Sequence, residues 1–441
     1  MKAILMPKFI LVLILIFLPN NIYGAEFSGY LKTYLVSQDK KNIETITIPK
    51  MELFQSTLRL QIESKNSGPA WEIHYEVDSI NSSERLSSYG LLGLSNENQS
   101  DNGIYRFSDL NREISKKDKH TLRQNLDRLN IQFQLNSGDL TIGRQAISLG
   151  SSRFINPVDV FLPFDIRTLN TEFRPGIDAI RFQKPIGTLG ELDTGLILGK
   201  DGERKNSAAY ARISSRFQGQ DFQITFVDTD SLFLLGAGIQ GAIGDSGYWL
   251  EIANVTGDDD YTRASIGLDH AITDNIYIMI EYHYNGIGSS SPDQYLKQYE
   301  KDAYKEHGVF LLGKRYFASG LNVQISPVTA LGFQVIYNQD DHSAFSSLSI
   351  ERHLTDNLYL DLGYYKFFGS SRLRYVESDI LLDSESNFGI GDNIIIINIS
   401  GIDTRTDIGC IGVDNCTNSY ENGWGGCLCK SSIDNSPLFD H

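Results

Sequence analysis

Apolar and polar residues alternate in segments of about 8 to 12 residues that recur along most of the chain. In the stretch 71–78, Trp71, Ile73 and Tyr75 occupy odd positions, whereas the even positions carry charged or imidazole side chains. Successive side chains of a β-strand point to opposite faces of the sheet, so a period of two predicts strands with one apolar face. The sequence therefore predicts an all-β fold.

The same pattern predicts eighteen antiparallel strands along the whole chain, with sixteen as the alternative count. The alternative arises because Ser326-Pro327 adjoins one long apolar stretch and because the connection near residue 230 is very short. The predicted strands lie near residues 27–37, 51–64, 70–80, 126–135, 139–147, 177–184, 191–199, 207–217, 221–230, 232–243, 247–256, 261–272, 275–285, 308–325, 330–338, 345–353, 356–367 and 389–400.

The connections between these predicted strands alternate in length. Those after even-numbered strands are short and carry turn-forming residues, as in 136–139 and 273–275. Those after odd-numbered strands are mostly long, such as 81–125 and 148–176. Transmembrane barrels have short periplasmic turns and long outer loops, whereas a soluble β-sandwich has no reason to keep this order. The pattern predicts a transmembrane antiparallel β-barrel wide enough for an aqueous channel.

The overall composition agrees with a barrel and excludes a helical membrane protein. The hydrophobic content is 41% and the mean hydropathy is -0.22, whereas each spanning helix needs about 20 nearly continuous apolar residues. The apolar run 9–18 follows Lys2 and Lys8 and precedes small residues at 24–25, as in a removed export signal. We therefore assign 1–25 as signal peptide, 26–400 as barrel and 401–441 as a C-terminal tail.

The charges and cysteines narrow the functional classes further. The formal net charge is -16, and no basic run is long enough to release phosphate counterions, which excludes nucleic-acid binding. The four cysteines, all in the tail, allow three full disulfide pairings in the periplasm, with a zinc site as the alternative. A tail produced by an altered reading frame is a further alternative. The cysteines are Cys410, Cys416, Cys427 and Cys429.

Alternation also gives each strand a lipid face and a lumen face. Carboxylates gather on the third predicted strand and arginines on the fourth, sixth and eighth, so opposed acidic and basic walls would impose a field across the pore. The alternative is that these charges only keep the lumen hydrated. The predicted lumen residues are Arg59, Glu63, Glu72, His74, Glu76, Asp78, Arg128, Arg181, Arg212, Arg216, Arg263, Asp269, Glu281, His283 and Asp361.

The segment 141–182 holds the densest set of motifs. It contains Gly143-Arg144-Gln145, the stretch GSSRFINPVD at 150–159 and the stretch RPGIDAIR at 174–181. These motifs resemble those of uncharacterised porin-like outer-membrane proteins of proteobacteria, and the likeness extends from about residue 50 to about residue 370. The Gly-Arg-Gln strand end is more loosely similar to the alginate-export type of barrel. The resemblance implies a channel fold without a defined substrate.

The loop 148–176 has the features of a segment folded into the lumen. It is long, carries three prolines and has apolar side chains such as Phe154 and Phe161 that water would solvate poorly. We expect it to narrow the pore. Charged residues of the loop and its flanking strands would line the constriction or lock the loop through arginine–carboxylate pairs. These residues are Arg144, Arg153, Asp159, Asp165, Arg174 and Asp178.

Arg144 does not fit the alternation of its predicted strand. It shares parity with Leu140 and Ile142, which should face lipid. A charge at mid-membrane costs about 2–4 kcal/mol. Either a bulge at Gly143 reverses the faces of the strand, or Arg144 lies above the edge of the hydrocarbon layer.

The sequence thus predicts an outer-membrane channel of a Gram-negative bacterium for passive diffusion of small hydrophilic solutes. One alternative is a substrate-specific transporter or exporter of oligosaccharides or organic anions, and another is a non-transport barrel that acts as an adhesin or a structural protein. No catalytic or metal-ligand spacing stands out, so we expect no enzyme activity, metal or cofactor. The expected partners are outer-membrane lipid, lipopolysaccharide and the barrel-assembly machinery; the pattern leaves the oligomeric state open.

Overall fold

The computed structural model describes residues 25–38, 41–43, 46–48, 50–64, 68–84, 103–108, 110–161, 173–368 and 393–401. The predicted signal peptide up to residue 24, the tail from residue 402 onward and Asp165 lie outside the described residues. Within the described ranges, no helix is both long enough and apolar enough to cross a membrane.

Eighteen long strands, numbered β1 to β18 in chain order, build the molecule. Each predicted strand has its counterpart among them, so the count of eighteen is confirmed over the alternative of sixteen. The strands are β1 (Ala25–Gln38), β2 (Met51–Ser64), β3 (Ala70–Ser82), β4 (His120–Leu135), β5 (Gly138–Gln145), β6 (Ile177–Ile186), β7 (Gly190–Ile197), β8 (Ala208–Phe217), β9 (Gln220–Asp228), β10 (Leu232–Ile243), β11 (Ser246–Gly257), β12 (Tyr261–Thr273), β13 (Ile276–Asn285), β14 (Arg315–Ser326), β15 (Thr329–Asn338), β16 (Ala344–Thr355), β17 (Leu358–Phe368) and β18 (Asn393–Gly401).

The sheet closes on itself. Each strand pairs antiparallel with its neighbours in sequence, and β1 pairs with both β2 and β18. At the closure, Leu31 lies opposite Gly401 and Leu35 lies opposite Ile397. Closure leaves none of the eighteen described barrel strands at an edge of the sheet, which is the condition for a β-structure in lipid. The fold is therefore a closed 18-stranded antiparallel β-barrel, as predicted.

The outer surface of the barrel is apolar, and the inner surface is polar. Large side chains such as Phe54, Leu250 and Ile266 are exposed, whereas their neighbours Gln55, Glu251 and Ser265 are buried inside. This is the pattern of a lipid-facing wall around a hydrated interior. The connections after even-numbered strands are short and those after β1, β3, β5, β13 and β17 are long. The two barrel ends are called the short-turn end and the long-loop end.

Two predicted strands begin six or seven residues from their predicted starts, while the predicted start of the last strand, at residues 389–392, lies outside the described residues. β4 begins at His120 rather than near residue 126, and β14 begins at Arg315 rather than near residue 308. In the second case Val309 and Leu312 are buried in the barrel interior as part of a loop. A short apolar run is compatible with a strand or with a buried loop, and periodicity alone does not separate them.

Short elements occupy the connections. The loop between β13 and β14 holds helices α1 (Tyr295–Tyr299) and α2 (Asp302–Lys305) after a 3₁₀ turn at Pro292–Gln294. The strand Arg112–Lys117 pairs with the part of β4 that extends beyond β5. The remaining short elements are the hairpin Lys41–Ile43 with Ile46–Ile48 and the 3₁₀ turns Gly103–Tyr105, Lys200–Gly202 and Arg204–Asn206.

An apolar core, called the loop core, lies inside the barrel at the long-loop end of β6 to β12 and joins loop residues to the strand ends. Tyr105, Phe161 and Tyr304 come from three different loops and meet within it. Burial of this many apolar side chains favours a fixed arrangement of those loops. The core consists of Tyr105, Ile147, Leu149, Val158, Val160, Phe161, Ile177, Ala179, Ile197, Ala208, Tyr210, Val227, Leu232, Leu234, Ala253, Val255, Tyr261, Ile287, Tyr295, Ala303, Tyr304, Val309 and Leu312.

Candidate functional site

Residues 146–161, called the inner segment, leave the end of β5 and pack against the inward faces of β9 to β13. Leu149 and Val158 are fully buried in the loop core. Val158 fits against β10 at Gly236, because a Cβ atom there would lie 2.8 Å from a Val158 methyl carbon. The segment therefore crosses part of the barrel interior at a fixed position.

Glu281 of β13 binds the backbone of the inner segment. Its carboxylate accepts hydrogen bonds from the backbone N–H groups of Arg153 (3.1 Å), Phe154 (3.1 Å) and Ile155 (2.8 Å). Trp249 of β11 adds a fourth donor, its indole Nε1, at 2.8 Å. Charge-assisted bonds from several donors are the condition under which a carboxylate can be buried without a cationic partner.

Glu251 of β11 holds the same segment at two further points. Its carboxylate accepts bonds from the backbone N–H groups of Ser151 (2.6 Å) and Val158 (3.1 Å). The Ser151 hydroxyl donates at 3.0 Å and the Gln223 amide at 3.2 Å. The two carboxylates together fix the chain on both sides of Asn156-Pro157.

The charged side chains predicted within the loop have different surroundings. Arg153 lies 3.7 Å from the Asp269 carboxylate, and its side chain is 28% exposed. Arg174 forms a buried ion pair with Asp159, and its Nη2 also donates to the carbonyl of Phe161 at 2.8 Å. Arg153 is therefore the predicted loop arginine that reaches the lumen water, while Arg174 and Asp159 join the two ends of the loop.

Arg144 forms the fullest set of contacts among the predicted residues. Its Nε and Nη2 donate to the two carboxylate oxygens of Asp178 at 2.8 and 2.9 Å. Its Nη1 donates to the carbonyl of Leu126 at 2.9 Å, and its Nη2 also donates to the carbonyl of Ser108 at 2.7 Å. Arg144 is thus buried in protein and has no contact with lipid.

The backbone at Gly143 explains how the alternation ends before Arg144. Gly143 has a φ of 121°, whereas the pairing of β4 with β5 continues without a register shift through Leu129 and Arg144. After Gly143 both Arg144 and Gln145 are buried, so side chains no longer alternate. The alternation of side chains ends here because the backbone conformation at Gly143 turns the strand. No extra residue is inserted in the pairing of β4 with β5.

Arg59, Glu76 and Arg128 meet in one buried cluster with Asp127. Arg59 donates to Glu76 at 2.5 Å and to Asp127 at 2.8 Å. Arg128 donates to the same Asp127 oxygen at 2.7 Å. The ring of Phe173 covers the Arg59 guanidinium at 4.0 Å. Asp127 reaches the cluster because a register shift between β3 and β4 places Leu126 opposite Tyr75.

Glu72 lies beside this cluster and faces more water. The Asn130 amide donates to it at 2.6 Å, and the Arg128 guanidinium is 4.0 Å away. Glu72 also belongs to a group with Glu63 and His74 whose ligand atoms lie within 4.8 Å of one another. Arg59 donates to His74 Nδ1 at 2.8 Å, which leaves the ring proton on Nε2, where His74 donates to Glu63. A protonated Nε2 does not coordinate a metal, so we assign no metal site here.

Arg181 and Arg212 converge on Asp193 of β7. Arg181 donates to its two oxygens at 2.9 and 2.8 Å, and Arg212 donates at 3.0 Å. The Tyr210 hydroxyl donates at 2.9 Å. Asp193 is fully buried by these donors. The arginines of β6 and β8 are therefore held against the wall.

Sequence reasoning missed three carboxylates that organise this interior, Asp127, Asp193 and Glu251. The alternation of side chains would have identified two of them, because Glu251 lies between Leu250 and Ile252, and Asp193 alternates with the apolar Leu192 on the polar face of its strand. Asp127 breaks the period and becomes visible only through the register shift. Each of the three neutralises arginine or backbone donors that the sequence leaves without a defined partner.

Comparison with solved structures shows the fold that this chain shares with other proteins. OccAB4 of Acinetobacter baumannii has a TM-score of 0.53 at 10% identity, covering 87% of this chain and 99% of that chain. OccK2 (OpdF) of Pseudomonas aeruginosa has a TM-score of 0.51 at 8% identity, covering 85% and 97%. OccAB1 of Acinetobacter baumannii has a TM-score of 0.50 at 12% identity, covering 86% and 96%. The chain shares the barrel architecture of these outer-membrane porins.

No protein-family model matches the sequence, and no curated protein matches it. The predicted likeness to porin-like outer-membrane barrels is confirmed at the level of fold. The looser likeness to alginate-export barrels is not shown and stays a prediction.

Proposed function

We propose that the protein is an outer-membrane channel for passive diffusion of small hydrophilic solutes, narrowed by the loop 148–176, whose first part, up to residue 161, belongs to the inner segment. The observation that carries this proposal is the combination of a closed 18-stranded wall with a chain segment held inside it by Glu251 and Glu281. Barrels of this size enclose an aqueous lumen, and a segment that crosses the lumen reduces its width.

The proposal also implies how the protein is oriented in the outer membrane and what it contacts there. The short-turn end faces the periplasm and the long-loop end faces the outside, as in bacterial barrels generally. The apolar outer wall contacts lipid and lipopolysaccharide, and the barrel-assembly machinery inserts the chain after export. The proposal assigns the protein transport of solutes and no catalytic step.

Single-channel recording in planar bilayers tests the proposal, with liposome swelling in neutral sugars of increasing size as a second measurement. We expect discrete conductance steps and a size limit for sugars. The variant Arg153→Ala removes the charge and bulk that the inner segment presents to water, so conductance should rise. Loss of one positive charge at about 8 Å should also raise the potassium-to-chloride permeability ratio about twofold.

Arg204→Ala serves as the control, since Arg204 is an exposed residue paired with Asp228 outside the lumen. It should leave conductance and permeability ratio unchanged. If Arg153→Ala behaves like this control, the inner segment does not lie on the conduction path. Absence of conductance in the wild type would favour the adhesin or structural alternative. Conductance blocked by one class of oligosaccharide or organic anion would favour the substrate-specific alternative.

A further inference from the structure

The arginines inside the barrel are largely neutralised by carboxylates that contact them. Arg59 and Arg128 share Asp127, and Glu76 is a second carboxylate on Arg59. Arg181 and Arg212 share Asp193, and Glu191 lies 3.5 Å from Arg212. Arg144 pairs with Asp178. The side chains of Arg59, Arg128 and Arg144 are nearly inaccessible to water. An ion pair seen from the lumen acts as a small dipole, so these arginines contribute little net positive potential to the solution in the pore.

The part of the lumen at the short-turn end, called the inner vestibule, has a different character. Around β14 to β18 the inward-facing residues of its wall include Asn322, Gln324, Glu351, His353, Asp361 and Asn398. Among the described side chains of these five strands, the inward-facing ones include no lysine or arginine. This arc of the wall therefore carries neutral polar groups together with two carboxylates.

The two carboxylates lie next to each other. Glu351 of β16 is directly opposite Asp361 of β17 in the strand register. The Glu351 side chain is 56% exposed, with His353 Nε2 at 3.2 Å, and Asp361 accepts a bond from the Asn398 amide at 2.7 Å. Like charges directly opposite each other in a sheet are destabilising. Such a pair raises the local negative potential where the wall is open to water.

Other exposed carboxylates extend the same arc. Glu63 of β2 and Glu72 of β3 face the vestibule beyond β1, with side chains 51% and 32% exposed. Lys32 of β1 supplies one positive charge between them and Asp361. On the far side of the vestibule Arg216 is exposed, and Asp221 lies 3.0 Å from it. The balance of charge that reaches water in the vestibule is therefore negative.

We propose that the inner vestibule makes the channel selective for cations and cationic hydrophilic solutes, with Glu351 and Asp361 as selectivity-determining residues. This inference rests on the proposed channel function and names the solute class that the channel prefers. It differs from the expectation of opposed acidic and basic walls. The basic wall is compensated by Glu76, Asp127, Asp178, Glu191 and Asp193. By contrast, the described residues of β16 and β17 include no inward-facing arginine or lysine, since Arg352 next to Glu351 has the parity of the outer face.

The size of the effect follows from Coulomb's law in water. At about 8 Å and about 0.1 M salt, one carboxylate raises the local cation concentration and lowers the local anion concentration by about 1.5-fold each. The cation-to-anion ratio therefore changes about twofold for one carboxylate and about fourfold for two. Mobile ions screen the field over about 10 Å at 0.1 M ionic strength. The preference should therefore be largest in dilute salt and weaken as salt increases.

Reversal potentials in a tenfold potassium chloride gradient test the inference. We expect a potassium-to-chloride permeability ratio above one for the wild type. The double variant Glu351→Gln/Asp361→Asn should lower this ratio about fourfold at about 0.1 M salt. Both substitutions keep the side-chain size and remove a like-charge contact, so the barrel should stay folded, which its heat-dependent mobility in detergent gels verifies. Glu351→Gln alone, at the more exposed position, should lower the ratio about twofold.

The double variant Glu52→Gln/Glu113→Gln is the matched control. It removes the same charge from exposed residues that pair with Lys50 and Lys116 away from the vestibule, and should leave the ratio unchanged. A wild-type ratio at or below one would overturn the inference, as would equal ratios in the wild type and both Glu351 variants. Absence of any conductance would instead overturn the proposed channel function, so the two failures are distinguishable.

Discussion

At the scale of single residues, the buried carboxylates of Glu251 and Glu281 accept hydrogen bonds from backbone N–H groups of the inner segment. The backbone N–H groups of a loop inside a barrel have no strand partner and need acceptors. A carboxylate removed from water needs several donors. Glu281 and Glu251 each receive four hydrogen bonds, which meet both requirements at once. The position of the inner segment therefore depends on these two side chains.

The variant Glu281→Ala should release the inner segment. It leaves three backbone N–H groups and the Trp249 indole without their acceptor, and each buried donor without a partner costs about 1–3 kcal/mol. We expect a lower unfolding temperature and larger current fluctuations in the open channel. Glu281→Gln keeps one acceptor oxygen and should have a smaller effect. Glu113→Ala, at an exposed position, is the control; equal noise and unfolding temperature in it and Glu281→Ala would contradict the anchoring role.

At the scale of elements, β5 ends in a conformation that only glycine adopts readily. Gly143 has a φ of 121°, and a Cβ atom at this position would lie 2.2 Å from the carbonyl oxygen of Leu129 on β4. The turn at Gly143 brings Arg144 under the chain at Leu126 and Ser108, where it pairs with Asp178. The end of one strand thus determines how the loop after it begins.

Gly143→Ala should therefore disturb the strand end. The added methyl group forces the backbone to shift against β4, and strain of this kind costs about 1–3 kcal/mol. We expect a lower yield of folded barrel in detergent refolding and a lower midpoint in urea. Gly68→Ala is the control, because nothing lies within 4 Å of a Cβ atom at Gly68. Identical midpoints for the two variants would show that β5 tolerates a side chain at residue 143.

At the scale of the whole molecule, loops from distant parts of the chain meet at His307. Its Nδ1 lies 3.3 Å from the Tyr105 hydroxyl and its Nε2 lies 2.8 Å from the Ser231 hydroxyl. Tyr105 also packs edge-on against Phe161 of the inner segment at 5.2 Å between ring centroids. One imidazole thereby links three loops above the loop core, and the inner segment joins them through an aromatic contact.

This junction should weaken in acid. Burial lowers the pKa of His307 from 6.5 to about 4, against the opposing effect of Asp302. The neutral ring is thus favoured in the folded state, and its contribution to stability is complete above pH 6.5 and is lost as the pH falls toward 4. The loss is on the order of 3 kcal/mol.

Limited proteolysis of the loops and thermal unfolding at pH 7.5 and 4.5 measure this effect. The wild type should be cleaved faster and unfold at a lower temperature at pH 4.5. His307→Gln should show a smaller change between the two pH values, because its side chain does not titrate. His342→Gln, at the Tyr337 contact outside the loop core, should behave like the wild type. If His307→Gln keeps the full pH difference, another group causes it.

The alternation of side chains by itself determined that the chain folds as strands, favoured eighteen of them, and indicated the face that most of their residues present. These features depend on local chain geometry and on the requirement that the outer wall be apolar, so they are visible in any short stretch. The lumen positions of Arg59, Glu281 and Asp361 followed from parity alone. The boundaries at residues 120 and 315 did not, because apolar residues serve equally in strands and in buried loops.

Only the tertiary structure decided which charges neutralise each other. Arg59 and Asp127 are 68 residues apart and Glu281 and Ile155 are 126 apart, and no local pattern relates such pairs. The bulge at Asp127 and the turn at Gly143 change the facing of the residues after them, so parity fails where the interior is organised. The alternation of apolar and polar side chains thus predicts the strands of the barrel wall. The electrostatics of the lumen depend on contacts that form only when the wall closes.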